Sequence, residues 1–380
     1  MKCPENPKLF LLSLLAILLT TRTTTGRQTT EPFVISNSIQ HNQGVKDFFV
    51  GPCLVNTNQT CPDEEVTFFL YTRDHMEDGI QVLVNDISSN LNQTDFNPKN
   101  PTKIIIHGYG SDMRLTYLVD VRMAYLTTYN YNLIAVDWHR LASAPCYPIA
   151  VRNVPHVGDC LAQLVSRLRD YGAEDIHVIG FSLGAHVPAF AANTLRPYKM
   201  ARITGLDPAM PLFVTFDKDE KLDAGDAEFV DVFHTNAFIQ GKVEQSGHID
   251  FYMNGGINQP GCWEKSFNPF KCDHHRSVMY FAESINSTVG FYGWHCRGFV
   301  YYLLGKEQRY RGYPCGFIPK REAGVSLFRE VCASANFNGI VSTWLCSISF
   351  SDERRKVGLT RVVHARVEHS SLSIQRTRRR

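Results

Sequence analysis

Past Leu19 the 380-residue sequence contains no apolar run long enough to cross a bilayer, which excludes a polytopic membrane protein. Charge of one sign is not in excess. The formal net charge is +2, too little to draw a nucleic acid by electrostatics alone. No internal repeat occurs, and no low-complexity tract beyond a Thr-rich stretch near the start, so solenoid and fibrous architectures are excluded. The cysteines around 261–280 stand ten positions apart, wider than the tight spacing of a zinc cluster.

What is present begins with a targeting pattern. Lys2 and Lys8 lead into the apolar run Leu9 to Leu19, and "TTRTTTG" follows. A charged start, an apolar stretch too short to span, and small residues before a cut near Gly26 predict a signal peptide over residues 1–26 and a soluble, secreted, extracellular product. With Cys3 inside that segment, eleven cysteines leave ten for an oxidising compartment. Disulfides are expected there rather than metal ligands. Sequence does not determine connectivity; local pairing would join Cys53 to Cys61, Cys146 to Cys160, Cys262 to Cys272, Cys296 to Cys315 and Cys332 to Cys346. Sequons at Asn58, Asn92 and Asn286 fit a glycosylated surface. From Ser351 to Arg380 nine Lys or Arg face three Asp or Glu, a basic tail able to touch anionic surfaces or glycans and equally readable as a solvated end.

At 44% hydrophobic residues the chain can bury a large core. "TKIIIHGYG" (102–110), "YNLIAVDW" (131–138), "DIHVIGFS" (175–182), "ARITGLD" (201–207) and "EFVDVFHT" (228–235) read as strands, nearly continuous in apolar residues as buried parallel strands are. A helix is expected over 155–174, with Leu161, Leu164, Val165 and Leu168 at helical spacing and Gly172 as its stop. Strand and helix in alternation predict an α/β fold with a mainly parallel sheet.

The third strand ends in "GFSLG", Gly180 to Gly184. G-x-S-x-G places a serine on a sharp strand-to-helix turn, where small neighbours let the backbone pack close and Ser182 project. A hydroxyl needs a base to take its proton and an acid to orient that base. Asp207 in "GLDPA" lies 25 positions on, at the end of the next strand. His274 or His275 follows in what reads as a loop. Backbone donors for a developing oxyanion are available at Tyr109 in "HGYG" and at Leu183, the residue after the serine.

"IIIHGYG", "VDW", "VIGFSLGAHV", "ITGLDPA", "FVDVFHT", "GHIDFYMNGGINQPGC" and "CDHHRS" occur in an order that resembles the animal pancreatic-lipase family, over about Cys53 to Ile318. The resemblance implies an α/β-hydrolase fold with helices on both faces of the sheet, in a lipase domain over 27–320. It also implies Ser182 as nucleophile, Asp207 as acid, and His274 as base through C-x-H-x-R, with His275 a bystander. Tyr109 and Leu183 become the oxyanion donors. Cys262 and Cys272 then flank a lid of only nine residues, with Trp263, Phe267 and Phe270 as its apolar contacts. The loop "NAFIQGKVEQS" is short as well, and both reductions resemble the secreted phospholipase A1 and insect branch. A short basic extension over 321–380 cannot hold the C-terminal β-sandwich of larger members, so a colipase partner is not expected. The family's structural calcium site resembles "KLDAGDAEFVD", where Asp223 and Asp226 with the carbonyls of Lys218 and Lys221 would be the ligands. A solvated acidic corner is the competing reading, and no metal or cofactor is assigned. The expected activity is hydrolysis of a lipid carboxylic ester, phospholipid first and triacylglycerol or monoacylglycerol as alternatives. A non-catalytic lipid-binding or yolk-like storage protein is the reading from another class.

Overall fold

A computed structural model describes residues 47–57 and 59–287 of the chain. The signal segment, the Asn58 sequon, the four cysteines from Cys296 to Cys346 and the basic extension lie outside the described residues. Among the described residues ten strands and five α-helices follow one another. They are β1 Asp47–Val50, β2 Cys53–Asn56, β3 Thr67–Tyr71, β4 Ile80–Val82, β5 Thr102–Ile106, α1 Thr116–Thr128, β6 Asn132–Asp137, α2 Tyr147–Asp170, β7 Ile176–Phe181, α3 Val187–Leu195, β8 Met200–Leu206, β9 Ala227–His234, β10 Ile249–Tyr252, α4 Cys262–Lys265 and α5 Pro269–Asn286.

Eight strands form one sheet in the order β10, β9, β8, β7, β5, β6, β3, β4. From β10 to β6 all neighbours are parallel. Near one edge β3 alone is reversed, running antiparallel to both its neighbours, β6 and β4. The order is that of the α/β-hydrolase fold. Strand alternation explains the two apolar layers. Ile104 and Ile106 of β5 join a core with Leu161 and Leu164 of α2 and Val187 and Ala191 of α3. Ile105 between them joins a second core with Val121 and Tyr125 of α1 and Val278 and Phe281 of α5. Helices therefore cover both faces, as expected.

The five strands read from sequence are present within a few residues of their expected ends. Helix α2 starts eight residues before Pro155, which sits in its interior. Proline is favoured at a first helical turn, and this bias makes 155 look like a start. In the fold the helix continues through it, forgoing one bond to the Val151 carbonyl while its apolar face packs on the sheet. The stop at Gly172 holds, with φ 93°.

Two local disulfide pairings are overturned. Cys53 pairs with Cys146 and Cys61 with Cys160, across 93 and 99 residues. Proximity in sequence is the wrong guide because β2 packs on α2, where Asn153 donates to the Leu54 carbonyl at 3.1 Å. Both N-terminal cysteines thus face the helix rather than each other. Cys262 and Cys272 do pair. The three disulfides among the described residues fit folding in an oxidising compartment. Among the described residues no helix is long and apolar enough to cross a membrane, and Asn92 and Asn286 are exposed.

Candidate active site

The site lies at the carboxyl ends of β7, β8 and β9, where an open parallel sheet presents its loops. Ser182 follows directly on β7 and takes φ 57°, a left-handed backbone that a non-glycine residue holds only under constraint, at a cost of about 1–3 kcal/mol. The constraint is close packing on both sides. A Cβ at Gly184 would lie 2.2 Å from the His107 carbonyl oxygen, and one at Gly180 would lie 2.3 Å from that of Gly184. No other residue fits either position, so the two glycines let the turn fold tightly and leave the serine at its apex, partly exposed.

Asp207 follows β8 and is fully buried. Its Oδ1 accepts from the amides of Thr235 at 2.8 Å and Asn236 at 3.1 Å. Its Oδ2 accepts from Nδ1 of His274 at 2.5 Å. Three donors on one desolvated carboxylate satisfy a charge that burial alone would disfavour. The serine is tied to the same loop, since its carbonyl accepts from the Ala209 amide at 3.1 Å. Phe181, one residue before the serine, sets its ring 4.8 Å from that of His274. Asp207 and His274 are thereby brought into contact, and Ser182 is tied to the same region through its backbone and its neighbour Phe181. Among the described residues the Ser182 hydroxyl has no hydrogen-bond partner, a contact that commonly tightens only when substrate binds.

His274 is not in a loop: it lies on α5, with Asn268 capping the helix by accepting from the Lys271 amide at 3.0 Å. His275 points elsewhere, packing at 5.1 Å on Tyr117 and 5.4 Å on Phe181. Burial, with the neighbouring His274 and Lys271, lowers its pKa to about 4. It is therefore neutral at pH 7, and no carboxylate meets it among the described residues. Of the expected oxyanion donors, Leu183 follows the serine directly, and Tyr109 follows Gly108, where a Cβ would lie 2.7 Å from that of Ser182. His107 fixes the loop that carries Tyr109. Its Nε2 accepts from the Trp138 amide at 3.1 Å and its Nδ1 donates to the Gly108 carbonyl at 2.9 Å, while the Trp138 indole donates back to the His107 carbonyl at 2.9 Å. The "HG" and "DW" motifs are thus two halves of one fastener.

The lid residues divide into two kinds. Phe267 is fully exposed, whereas Trp263 is half exposed, with its indole donating to Oδ2 of Asp273 at 2.8 Å and its ring edge-on to Phe270 at 5.2 Å. Asp273 directly precedes His274, so this tryptophan braces the helix that carries the histidine as well as covering it. At the acidic corner the Asp223 amide donates to Asp226 at 2.8 Å. Burial pushes the Asp226 carboxyl up to about 8, against the hydrogen bond from the Asp223 amide, which lowers it. A hard cation would return it to the ionised form, so these residues fit a structural cation, through which no step below is routed.

One residue that sequence reasoning missed is Gly241. A Cβ there would lie 2.4 Å from Oδ1 of Asp207, so the loop between β9 and β10 can wrap the acid only with glycine at this point. Its only sequence signal is a glycine inside the short 236–246 loop.

The Lipase family model matches residues 51–316. The chain belongs to the lipase family. Lipase member H-A of Xenopus laevis is 36% identical over 252 residues, 63% of this chain and 53% of that protein. Lipase member H of Mus musculus is 34% identical over 284 residues, 68% of this chain and 61% of its own length. Pancreatic triacylglycerol lipase of Mus musculus is 34% identical over 273 residues, 66% and 57% of the two chains. This lipase-family chain therefore spans between half and two thirds of the length of these relatives.

Proposed function

We propose that this chain is a secreted serine hydrolase that cleaves a carboxylic ester of a lipid at an interface, with phospholipid as the preferred substrate in the manner of a phospholipase A1. The observation that carries the reading is the buried Asp207 to His274 pair set beside the strained Ser182 turn. In this mechanism Nε2 of His274 takes the Ser182 proton as Oγ attacks the ester carbonyl carbon. Asp207 holds the ring with Nε2 facing the serine and stabilises the imidazolium. The amides of Tyr109 and Leu183 receive the carbonyl oxygen as it becomes negative. The intermediate then expels the alcohol, which leaves with the proton from His274. Water, deprotonated by the same nitrogen, attacks the acyl-enzyme, releases the fatty acid and restores Ser182.

Two features support phospholipid over bulkier neutral lipid. The nine-residue lid between Cys262 and Cys272 and the short 236–246 loop leave little wall for additional acyl chains. Secretion is supported by the disulfides and by the amino-terminal signal pattern.

The test is Ser182→Ala in purified full-length protein, assayed on a phospholipid, a triglyceride, a monoglyceride and a soluble short-chain ester. Turnover should fall by about three to six orders of magnitude with folding intact. Retention of more than a few per cent would refute the mechanism. A wild-type protein inert on every ester and unreactive to a serine-directed phosphonate would favour the non-catalytic lipid-binding reading.

A further inference from the structure

Between Asp207 and the turn at Lys218 runs "PAMPLFVTFD", a segment the hydrolytic mechanism does not use. Its odd-numbered residues are fastened to the body. The Pro211 carbonyl accepts from the Tyr147 hydroxyl at 2.8 Å. Phe213 is buried and stacks face to face on His186 with ring centroids 3.7 Å apart. The Thr215 hydroxyl donates to Glu220 at 3.1 Å, and its carbonyl accepts from the Lys221 ammonium.

From Leu212 onward the even-numbered residues do the opposite. Leu212 is 63% exposed, Val214 82%, and Phe216 fully so. This is the period-two alternation of an extended chain, although no strand is assigned there. Leu212 takes φ 66°, which a bulky side chain adopts only when its surroundings impose it. Three large apolar side chains are thus held out into solvent by anchored neighbours. Apolar surface displayed in this way marks a contact site.

We propose that Leu212, Val214 and Phe216 form a rib that inserts into a zwitterionic or uncharged lipid surface beside the active site. Continuity with the site supports the placement. Tyr147, which holds Pro211, packs edge-on to Tyr109 at 5.1 Å, and the rib begins five residues after Asp207. Trp263 and Phe267, just before the helix that carries His274, and Phe270 on it are exposed apolar side chains as well. Area argues against a protein partner: three side chains supply far less than the roughly 800 Å² each side gives up in a stable complex, whereas a fluid lipid surface needs no matching shape. Charge selects the lipid class. Asp217, Asp219 and Glu220 flank the rib against Lys218 and Arg196, the latter paired with Asp219 at 2.5 Å, so an anionic surface gains nothing here and apolar insertion is the driving term. The inference rests on the ester-hydrolase reading only in choosing lipid as the surface.

The experiment measures partitioning of full-length protein onto phosphatidylcholine vesicles by co-flotation, in a Ser182→Ala background that removes turnover. Adding Leu212→Ser, Val214→Ser and Phe216→Ser should weaken partitioning by at least about thirtyfold at an unchanged melting temperature. Phe216→Ser alone, the mildest change, should weaken it by roughly tenfold, so the comparison survives if the triple variant fails to fold. Raising ionic strength from about 0.1 to about 0.5 M should leave the partitioning of the Ser182→Ala parent in place. Equal partitioning of parent and variants overturns the proposal. So does binding that salt abolishes, and so does a variant that loses self-association in sedimentation while keeping its vesicles. Wild-type hydrolysis of a soluble short-chain ester is scored separately. Its absence would sink the ester-hydrolase reading and leave the vesicle comparison standing.

Discussion

Replacing Gly241 with alanine should disable the proposed acid without altering any of the three reacting side chains. The new Cβ would lie 2.4 Å from Oδ1, 2.5 Å from Cγ and 2.6 Å from Oδ2 of Asp207, where ordinary contact begins at 3.4 Å. Something must therefore give way by roughly 1 Å, because packed interiors hold no slack. The backbone around Gly241 is the stiffer side. Its amide donates to Asn236 at 3.1 Å, its carbonyl accepts from Phe238 at 3.1 Å, and the next amide donates to Pro208 at 2.8 Å. The carboxylate is the side that shifts, and with it the 2.5 Å bond to His274. A misplacement of this size costs about a hundredfold in kcat, or ~2.7 kcal/mol of barrier. KM on a soluble short-chain ester should change little, since neither group binds the ground-state substrate. Steady-state kinetics with the folded fraction measured by near-ultraviolet circular dichroism is the assay. A folded Gly241→Ala protein with kcat within about threefold of wild type would refute the reasoning.

Three further outcomes are expected. His274→Ala should lower kcat by about four orders of magnitude or more, whereas His275→Ala should keep most activity; single-variant kinetics with the reverse ranking would overturn the assignment. Replacing Cys61 and Cys160 by serine should lower stability in chemical denaturation by about 4–5 kcal/mol, and replacing Cys262 and Cys272 by about 3, because the first closes a far longer loop. Turnover should follow the opposite order, since Cys272 stands two residues before His274, and equal losses of turnover would count against that positioning role. For Asp226 the folded pKa of about 8 exceeds the ordinary 3.8. The native state therefore keeps a proton that the unfolded chain has lost, and the stability it contributes is full below about pH 4 and lost as pH rises through about 8. In a chelator, Asp226→Asn should flatten that decline in melting temperature between about pH 5 and 9; parallel curves for the two proteins would refute it.

How legible the site was depends on the range of the interaction that builds each part. The serine turn is local: a β-branched run, two glycines and a helix follow one another within fifteen residues, and sterics alone select that arrangement. Asp207 was legible because strand ends are where an α/β sheet places its chemistry. The helix around His274 was missed although His274, Val278, Phe281 and Ile285 fall at spacings of four, three and four. The C-x-H-x-R pattern drew attention to residue types and away from period. Strand β4 went unread because it is a three-residue edge strand, and β3 because it carries "TFFLY", in which alternation between faces is masked by two adjacent phenylalanines. Disulfide partners and the clearance at Gly241 depend on which segments meet after folding. Neither leaves a mark in local composition.

The two long bridges bear on how such a chain is made. Synthesis is vectorial, and 93 residues must follow Cys53, and 99 must follow Cys61, before either meets its partner. At about 5–20 residues per second both thiols wait for several seconds. Throughout that interval each is the other's nearest thiol, eight positions away, and an oxidising compartment would favour the wrong bridge first. A chain that formed that early bridge would need thiolate exchange to move the link to helix α2, so in such a compartment the yield of native protein should depend on an isomerase more than on an oxidant.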